Sequence, residues 1–260
     1  MEFEPLENFF IWILVAIQYI LTRLLFFVAR AWRTPIDTQV DEIIVSGDDG
    51  DGLLVIMHGY GGSRSYFLRQ VEHIRQQLLE QGKFYRRIYA PHVIYDPNRS
   101  IFEANIHIIS NVRQLHEQHE DERIDIIGMS AGGRLAVYMQ YALRNISVPM
   151  IIVTVGSPLN GTSLVRCVPG AHALARLIVG ETLLRDFDPA CGKEQLDLAE
   201  YVQLAPANRR FYHLYSTTDW MVFPPHRCAT AIGSPKAYVK AIRSVAHSQL
   251  LTQSEVLDCL

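Results

Sequence analysis

Hydrophobic positions are spread unevenly along the chain. From Phe9 to Ala31 they run almost without a break, as FFIWILVAIQYILTRLLFFVARA, and 23 of the first 33 residues are hydrophobic. At about 1.5 Å per residue, a helix of this length matches a hydrocarbon core of about 30 Å. After Pro35 the pattern changes to short β-branched runs alternating with longer stretches of helical spacing, which predicts an α/β domain with a mostly parallel sheet. Strands are expected at Ile43–Val45, Leu53–Met57, Ile88–Val93, Ile124–Ile127, Met150–Val155, Phe211–Tyr215 and Ala237–Ile242. Phe67, Val71, Ile74 and Leu78 mark one amphipathic helix capped by Ser63 and ending near Gly82; Ile101, Ala104, Ile108, Val112 and Leu115 mark a second. A third helix starts at Ala131, residues up to about Ala207 read as irregular, and a C-terminal helix follows His247.

The leader and the remainder are therefore separate problems: an N-terminal hydrophobic helix over residues 1–33 and an α/β domain over 34–260. Trp12 and Trp32 suit the two interfaces of a membrane, whereas Gln18, Thr22 and Arg23 interrupt the apolar face. Glu2, Glu4 and Glu7 exclude the positive leader of a cleavable signal peptide. Residues 9–31 read as a membrane anchor, spanning or lying in the membrane plane; a helix packed on the protein's own surface or on a partner's is the alternative. If the segment spans, Arg23, Arg30 and Arg33 leave the C-terminal domain on the cytoplasmic side.

Composition narrows the function classes. A chain that is 49% hydrophobic and 20% charged is not disordered, and a net charge of −3 without a basic run argues against a nucleic-acid partner. The four cysteines show no CxxC spacing, so neither a zinc ribbon nor a disulfide scaffold is expected, although Cys167 and Cys191 can pair in an oxidising compartment. The Gly/Asp-rich stretch at 47–52 lacks the spacing of a calcium loop and reads as a turn. His116 and His119, next to Glu117 and Glu120, read as a solvated helix end rather than metal ligands.

The chemistry concentrates in Gly128-Met129-Ser130-Ala131-Gly132, a G-x-S-x-G between an expected strand and an expected helix. A sharp strand-to-helix turn exposes such a serine as a nucleophile, and the glycines permit the close approach of neighbouring backbone. The competing reading is a Gly-rich turn whose serine caps the helix. An acyl-transfer serine also needs oxyanion donors, and the loop His58-Gly59-Tyr60-Gly61-Gly62 lies after an earlier strand. The Tyr60 and Ala131 amides are the expected pair, with His58 structural. Asp219 and His247 each follow a late strand, in the order nucleophile, acid, base. Asp186, Asp188, Asp197, His213 and His226 are less well placed.

These residues, together with Gly156-Ser157-Pro158-Leu159-Asn160-Gly161-Thr162, resemble the lipase and esterase branch of the α/β-hydrolase superfamily from about residue 41 to the end. The pattern departs from the usual one at Met129, where many lipases have His, and in lacking H-G-G-G. The resemblance implies an α/β-hydrolase fold, a mostly parallel central sheet with flanking helices, with residues 163–204 as a cap insertion or, alternatively, an ordinary core helix. It implies catalytic Ser130, Asp219 and His247, an oxyanion hole of Tyr60 and Ala131, and no cofactor or metal. The expected activity is hydrolysis of a lipid or other apolar acyl ester at a membrane. An acyltransferase, a thioesterase, or an inactive binding protein of the same fold are the alternatives.

Overall fold

The computed structural model describes residues 42–45, 50, 52–61, 64–96, 98–162, 185–187, 198–219, 221–222, 237–243 and 245–260. The leader expected to anchor the chain, Cys167, Cys191, Asp188, Asp197, His226 and most of the expected cap lie outside them. Among the described residues, no helix is long and apolar enough to cross a membrane.

Strands β1 (Glu42–Val45), β2 (Gly52–Met57), β3 (Arg87–Ala90), β4 (Arg123–Met129), β5 (Met150–Val155), β6 (Arg209–Ser216) and β7 (Ala237–Ile242) form one seven-stranded sheet in the order β1-β3-β2-β4-β5-β6-β7. Only the β1–β3 pair is antiparallel; the others run parallel. The central strands read as continuous apolar runs because both faces are covered, and all six residues of β2 are buried. Alternate side chains feed two cores. Leu53, Val55 and Met57 pack with helices α2 (Ile101–Ala104), α3 (Ile106–His119), α4 (Ala131–Ala142) and α5 (Leu198–Gln203). Leu54 and Ile56 pack on the other face with α1 (Arg64–Glu80), a 3₁₀ helix (His247–Thr252) and α6 (Ser254–Leu257).

The register sets Met57 beside Gly128, Met129 beside Val155, and Ser216 beside Ile242. The turns that follow β2, β4, β5, β6 and β7 therefore open on one edge of the sheet, the edge where ligands bind in parallel α/β folds.

Beyond shifts of one or two residues at strand ends, four elements differ from the sequence expectation. β3 stops at Ala90 rather than Val93: Pro91 has no amide to pair, and the Val93 amide is instead donated to the His58 ring. The second helix is broken at Asn105, which is fully buried and sits at φ −115°, ψ 19°. Its side-chain amide donates to the carbonyls of Ile94 and Ile101, and its oxygen accepts from the Ile94 amide. Within the stretch read as irregular, and inside the range read as a cap, α5 buries Leu198 and Val202 against the body, Tyr201 stacks on Tyr141 of α4 at 4.1 Å, and Gln140 donates to the Tyr201 carbonyl. The C-terminal segment opens as a 3₁₀ helix, with α6 a single turn.

At the opposite edge of the sheet, Arg87 at the start of β3 forms a buried ion pair with Asp121. Both side chains are withdrawn from water, at 7% and 0% exposure. Removing one charge leaves the other buried and unpaired, which typically costs about 3–5 kcal/mol. Asp121→Ala is accordingly expected to lower unfolding free energy by roughly 3 kcal/mol in urea titrations, with Arg87→Met/Asp121→Leu recovering most of the loss.

Candidate active site

Ser130 stands where β4 passes into α4, at φ 51° and ψ −124°. A side chain in this region of backbone space is strained by about 1–3 kcal/mol and persists only where its surroundings impose it. The surroundings here are backbone. A Cβ on Gly132 would lie 2.6 Å from the His58 carbonyl oxygen and 2.9 Å from that of Met57, so only glycine lets the start of α4 come this close to the end of β2. The Ser130 amide donates to the Val155 carbonyl at 2.8 Å, tying the turn to the end of β5. The serine side chain makes no capping hydrogen bond to α4. That removes the reading of Ser130 as a helix cap.

Asp219 and His247 come together as a pair: His247 Nδ1 donates to Asp219 Oδ2 at 2.6 Å. Asp219 is 2% exposed, and its Oδ1 accepts the amides of Met221 at 2.9 Å and Val222 at 3.3 Å. The carboxylate is thus held by the turn after β6 while its second oxygen orients the imidazole. With Nδ1 carrying the shared proton, Nε2 is left as the acceptor. Gly156, at φ 55°, links this pair to the serine. A Cβ there would lie 3.2 Å from Asp219 Oδ2 and 3.2 Å from His247 Cε1, and the preceding residue is the Val155 that receives the Ser130 amide. Among the described residues no hydrogen bond joins Ser130 to the His247 ring; such contacts often tighten only when substrate binds.

The loop after β2 reaches the serine from the other side. A Cβ on Gly59 would lie 2.7 Å from Ser130 Cβ, so the residue that precedes Tyr60 packs directly on Ser130. Ala131, 2% exposed, opens α4, where the first amides have no acceptor within the helix. His58 holds this loop rather than serving as a base. Its Nε2 accepts the Val93 amide at 3.1 Å, so the proton lies on Nδ1 and is donated to the Gly59 carbonyl at 2.9 Å. Burial lowers its pKa from 6.5 to about 4. The Tyr95 hydroxyl donates to the His58 carbonyl at 2.7 Å, and the Tyr95 ring meets Tyr60 edge-on at 5.2 Å.

The less favoured candidates have other duties. His213 lies inside β6 against Thr154, at 2.6 Å, and burial lowers its pKa to about 4. Asp186 accepts the Ile101 amide at 2.8 Å, and burial raises its carboxyl pKa. Asp186 also lines a cavity of about 620 Å³ with Arg99, Phe102, Glu103, Ile106 and Tyr138, and none of Ser130, Asp219 and His247 lines it.

Sequence reasoning missed several supports. Ser157 donates to the Gly128 carbonyl at 3.3 Å. Arg134, 1% exposed, donates to the carbonyls of Pro158 at 2.7 Å and Leu159 at 2.9 Å. Tyr95 carried no local signal, because its contact depends on the pairing of β2 with β3.

No family model matches the chain, and no curated protein is similar to it in sequence. Solved structures do match. A Bacillus licheniformis lipase, BlEst2 in mature form, superposes with a TM-score of 0.58 at 12% identity, over 84% of this chain and 95% of that one. An α/β-hydrolase superfamily protein from Enterococcus faecalis gives 0.57 at 17% identity, over 83% and 88%. Est1E from Butyrivibrio proteoclasticus gives 0.54 at 15% identity, over 84% and 92%. The chain has the α/β-hydrolase fold. Its mostly parallel seven-stranded sheet with flanking helices agrees with what the resemblance implied.

Within this α/β-hydrolase fold, His58 and His213 are buried neutral, each with its pKa lowered from 6.5 to about 4 by burial. Between those values the unfolded chain binds protons that the folded chain does not, so stability rises with pH across the window and falls as pH drops from 6.5 toward 4. The loss is of order 3 kcal/mol per histidine at its limit. Denaturant titrations at pH 7.5, 5.5 and 4.5 are expected to show a progressive decline, and His213→Asn a shallower one than wild type.

Proposed function

We propose that the protein is a serine hydrolase that cleaves carboxylic esters of lipids or other apolar acyl groups. The observation that carries this reading is the 2.6 Å bond between His247 Nδ1 and Asp219, which leaves Nε2 as an acceptor at the same sheet edge as the β4–α4 turn that bears Ser130. His247 Nε2 takes the Ser130 hydroxyl proton as Oγ attacks the ester carbonyl, and the developing oxyanion is received by the Tyr60 and Ala131 amides. Collapse breaks the bond to the alcohol, which leaves with the proton from His247. Water then attacks the acyl-serine by the same route, giving up its proton to His247, and the acid departs as Ser130 is restored. The lipase from B. licheniformis that shares this fold is consistent with such an activity.

The apolar leader adds a location to the reading: residues 9–31 hold the enzyme at a membrane with the hydrolase domain on the cytoplasmic side, next to apolar substrate.

A fluorophosphonate probe is expected to label the wild-type protein, and Ser130→Ala to abolish labelling and to lower p-nitrophenyl ester hydrolysis by roughly 10⁴-fold or more. Labelling that survives the substitution overturns the assignment. Deleting residues 1–33 is expected to move the protein from the membrane fraction to the soluble fraction. Full-length protein that stays soluble without detergent contradicts the anchor.

A further inference from the structure

Helix α1 carries an anomaly in its apolar stripe. Phe67, Val71, Ile74 and Leu78 face the core at helical spacing, yet Gln70, three residues after Phe67 and four before Ile74, shares that face and is only 7% exposed. A long amide buried beside a core is unfavourable unless it is hydrogen-bonded. Its partner lies far along the chain: Gln70 Nε2 donates to the Ser248 carbonyl at 2.9 Å, 178 residues away. The Tyr66 hydroxyl, one helical turn earlier, reaches the same carbonyl at 3.3 Å.

Ser248 directly follows His247. The turn that presents the imidazole is held by three separate contacts. Leu250 and Leu251, both 0% exposed, seat the 3₁₀ helix on the sheet; Asp219 grips the ring; and the α1 donors grip the backbone between them. The first two contacts fix the turn along the line joining the buried leucines to the carboxylate. A donor on the Ser248 carbonyl opposes rotation about that line, which would swing Nε2 relative to Ser130.

The neighbouring residues of α1 serve the rest of the site. Arg64 donates to the carbonyls of Ala90, at 2.7 Å, and Pro91, at 3.3 Å, at the end of β3. Phe67 meets the His58 ring edge-on at 5.1 Å. The first two turns of α1 therefore bear on the oxyanion loop and on the base at once.

We propose that Gln70 is a positioning residue that sets the orientation of His247 through the Ser248 carbonyl. It touches no substrate and acts only through the backbone of the turn. The proposal rests on the serine-hydrolase reading above.

The test compares full-length wild type, Gln70→Met, which keeps length and apolarity but has no donor, and Gln76→Ala, an exposed control on the same helix. Each is measured for p-nitrophenyl butyrate kinetics, fluorophosphonate labelling rate and melting temperature. The expected result for Gln70→Met is a kcat and a labelling rate lower by roughly tenfold, with KM within about twofold, because misplacing a catalytic group by less than an ångström acts on the transition state. Gln76→Ala is expected to match wild type. Wild-type kcat and labelling in a folded Gln70→Met protein overturn the positioning role while leaving the hydrolase reading intact. A wild-type protein that is neither labelled nor active overturns both. If Gln70→Met does not fold, Gln70→Asn draws the donor out of reach while keeping the amide: the same loss in kcat is expected, and a wild-type kcat overturns the proposal.

Discussion

The turn between β4 and α4 demands a backbone conformation at Ser130, φ 51°, that a side-chain-bearing residue avoids by about 1–3 kcal/mol. Much of the surrounding architecture serves to hold it. Gly132 lets α4 start within van der Waals reach of the His58 and Met57 carbonyls, so the helix cannot slide outward to relax the turn without opening a void over β2. The Val155 carbonyl takes the Ser130 amide, and Arg134 on the buried face of α4 binds the carbonyls of Pro158 and Leu159 beyond the next strand. Burial lowers the Arg134 pKa to about 10, and its two bonds to backbone oxygens replace the water it has lost. Strain at one residue is thus balanced by packing and hydrogen bonds distributed over three strands.

The loop after β2 rests on a different kind of support. His58 is neutral and has one tautomer, because Nε2 receives the Val93 amide and Nδ1 donates to Gly59. It staples the loop after β2 to the segment after β3, and the same diversion of the Val93 amide helps to end β3 early. Tyr95 adds a second staple to the same loop. Burial raises the Tyr95 phenol pKa, so the hydroxyl keeps the proton it donates. On the proposed reading this loop presents backbone amides to a developing charge, which is more effective without reorganisation, and these contacts supply that stiffness.

What was legible in the sequence follows from how local each constraint is. The seven strands were readable because central parallel strands are apolar on both faces, and only their ends moved: β3 shortened where Pro91 removed a donor and a tertiary acceptor claimed the Val93 amide. Ser130 was readable because its strain is relieved by glycines within a few residues. The pairing of Asp219 with His247 was readable only as an order along the chain, since 28 residues separate them and the sheet register brings them together. Helix α5 was missed because six residues with only Leu198 and Val202 buried are too few for periodicity to show. Tyr95 and Arg134 could not be found by pattern at all, whereas Gln70 left a trace, a polar residue inside an apolar stripe.

The end of β5 is where the two halves of the site meet. Val155 accepts the amide of Ser130, Gly156 at φ 55° passes beneath the Asp219–His247 pair, and Ser157 returns a hydrogen bond to Gly128 at the base of the turn. β5 lies between β4 and β6 in the sheet, so its position is held on both sides by parallel ladders. The separation between Ser130 and the Asp219–His247 pair is therefore set through a strand laddered on both sides. The orientation of the His247 ring is not, because His247 follows β7, an edge strand with four of its six residues exposed. A ring delivered from the sheet's outer strand needs restraint from outside the sheet, and α1, which shares a core with the 3₁₀ helix that begins at His247, supplies it through the Ser248 carbonyl.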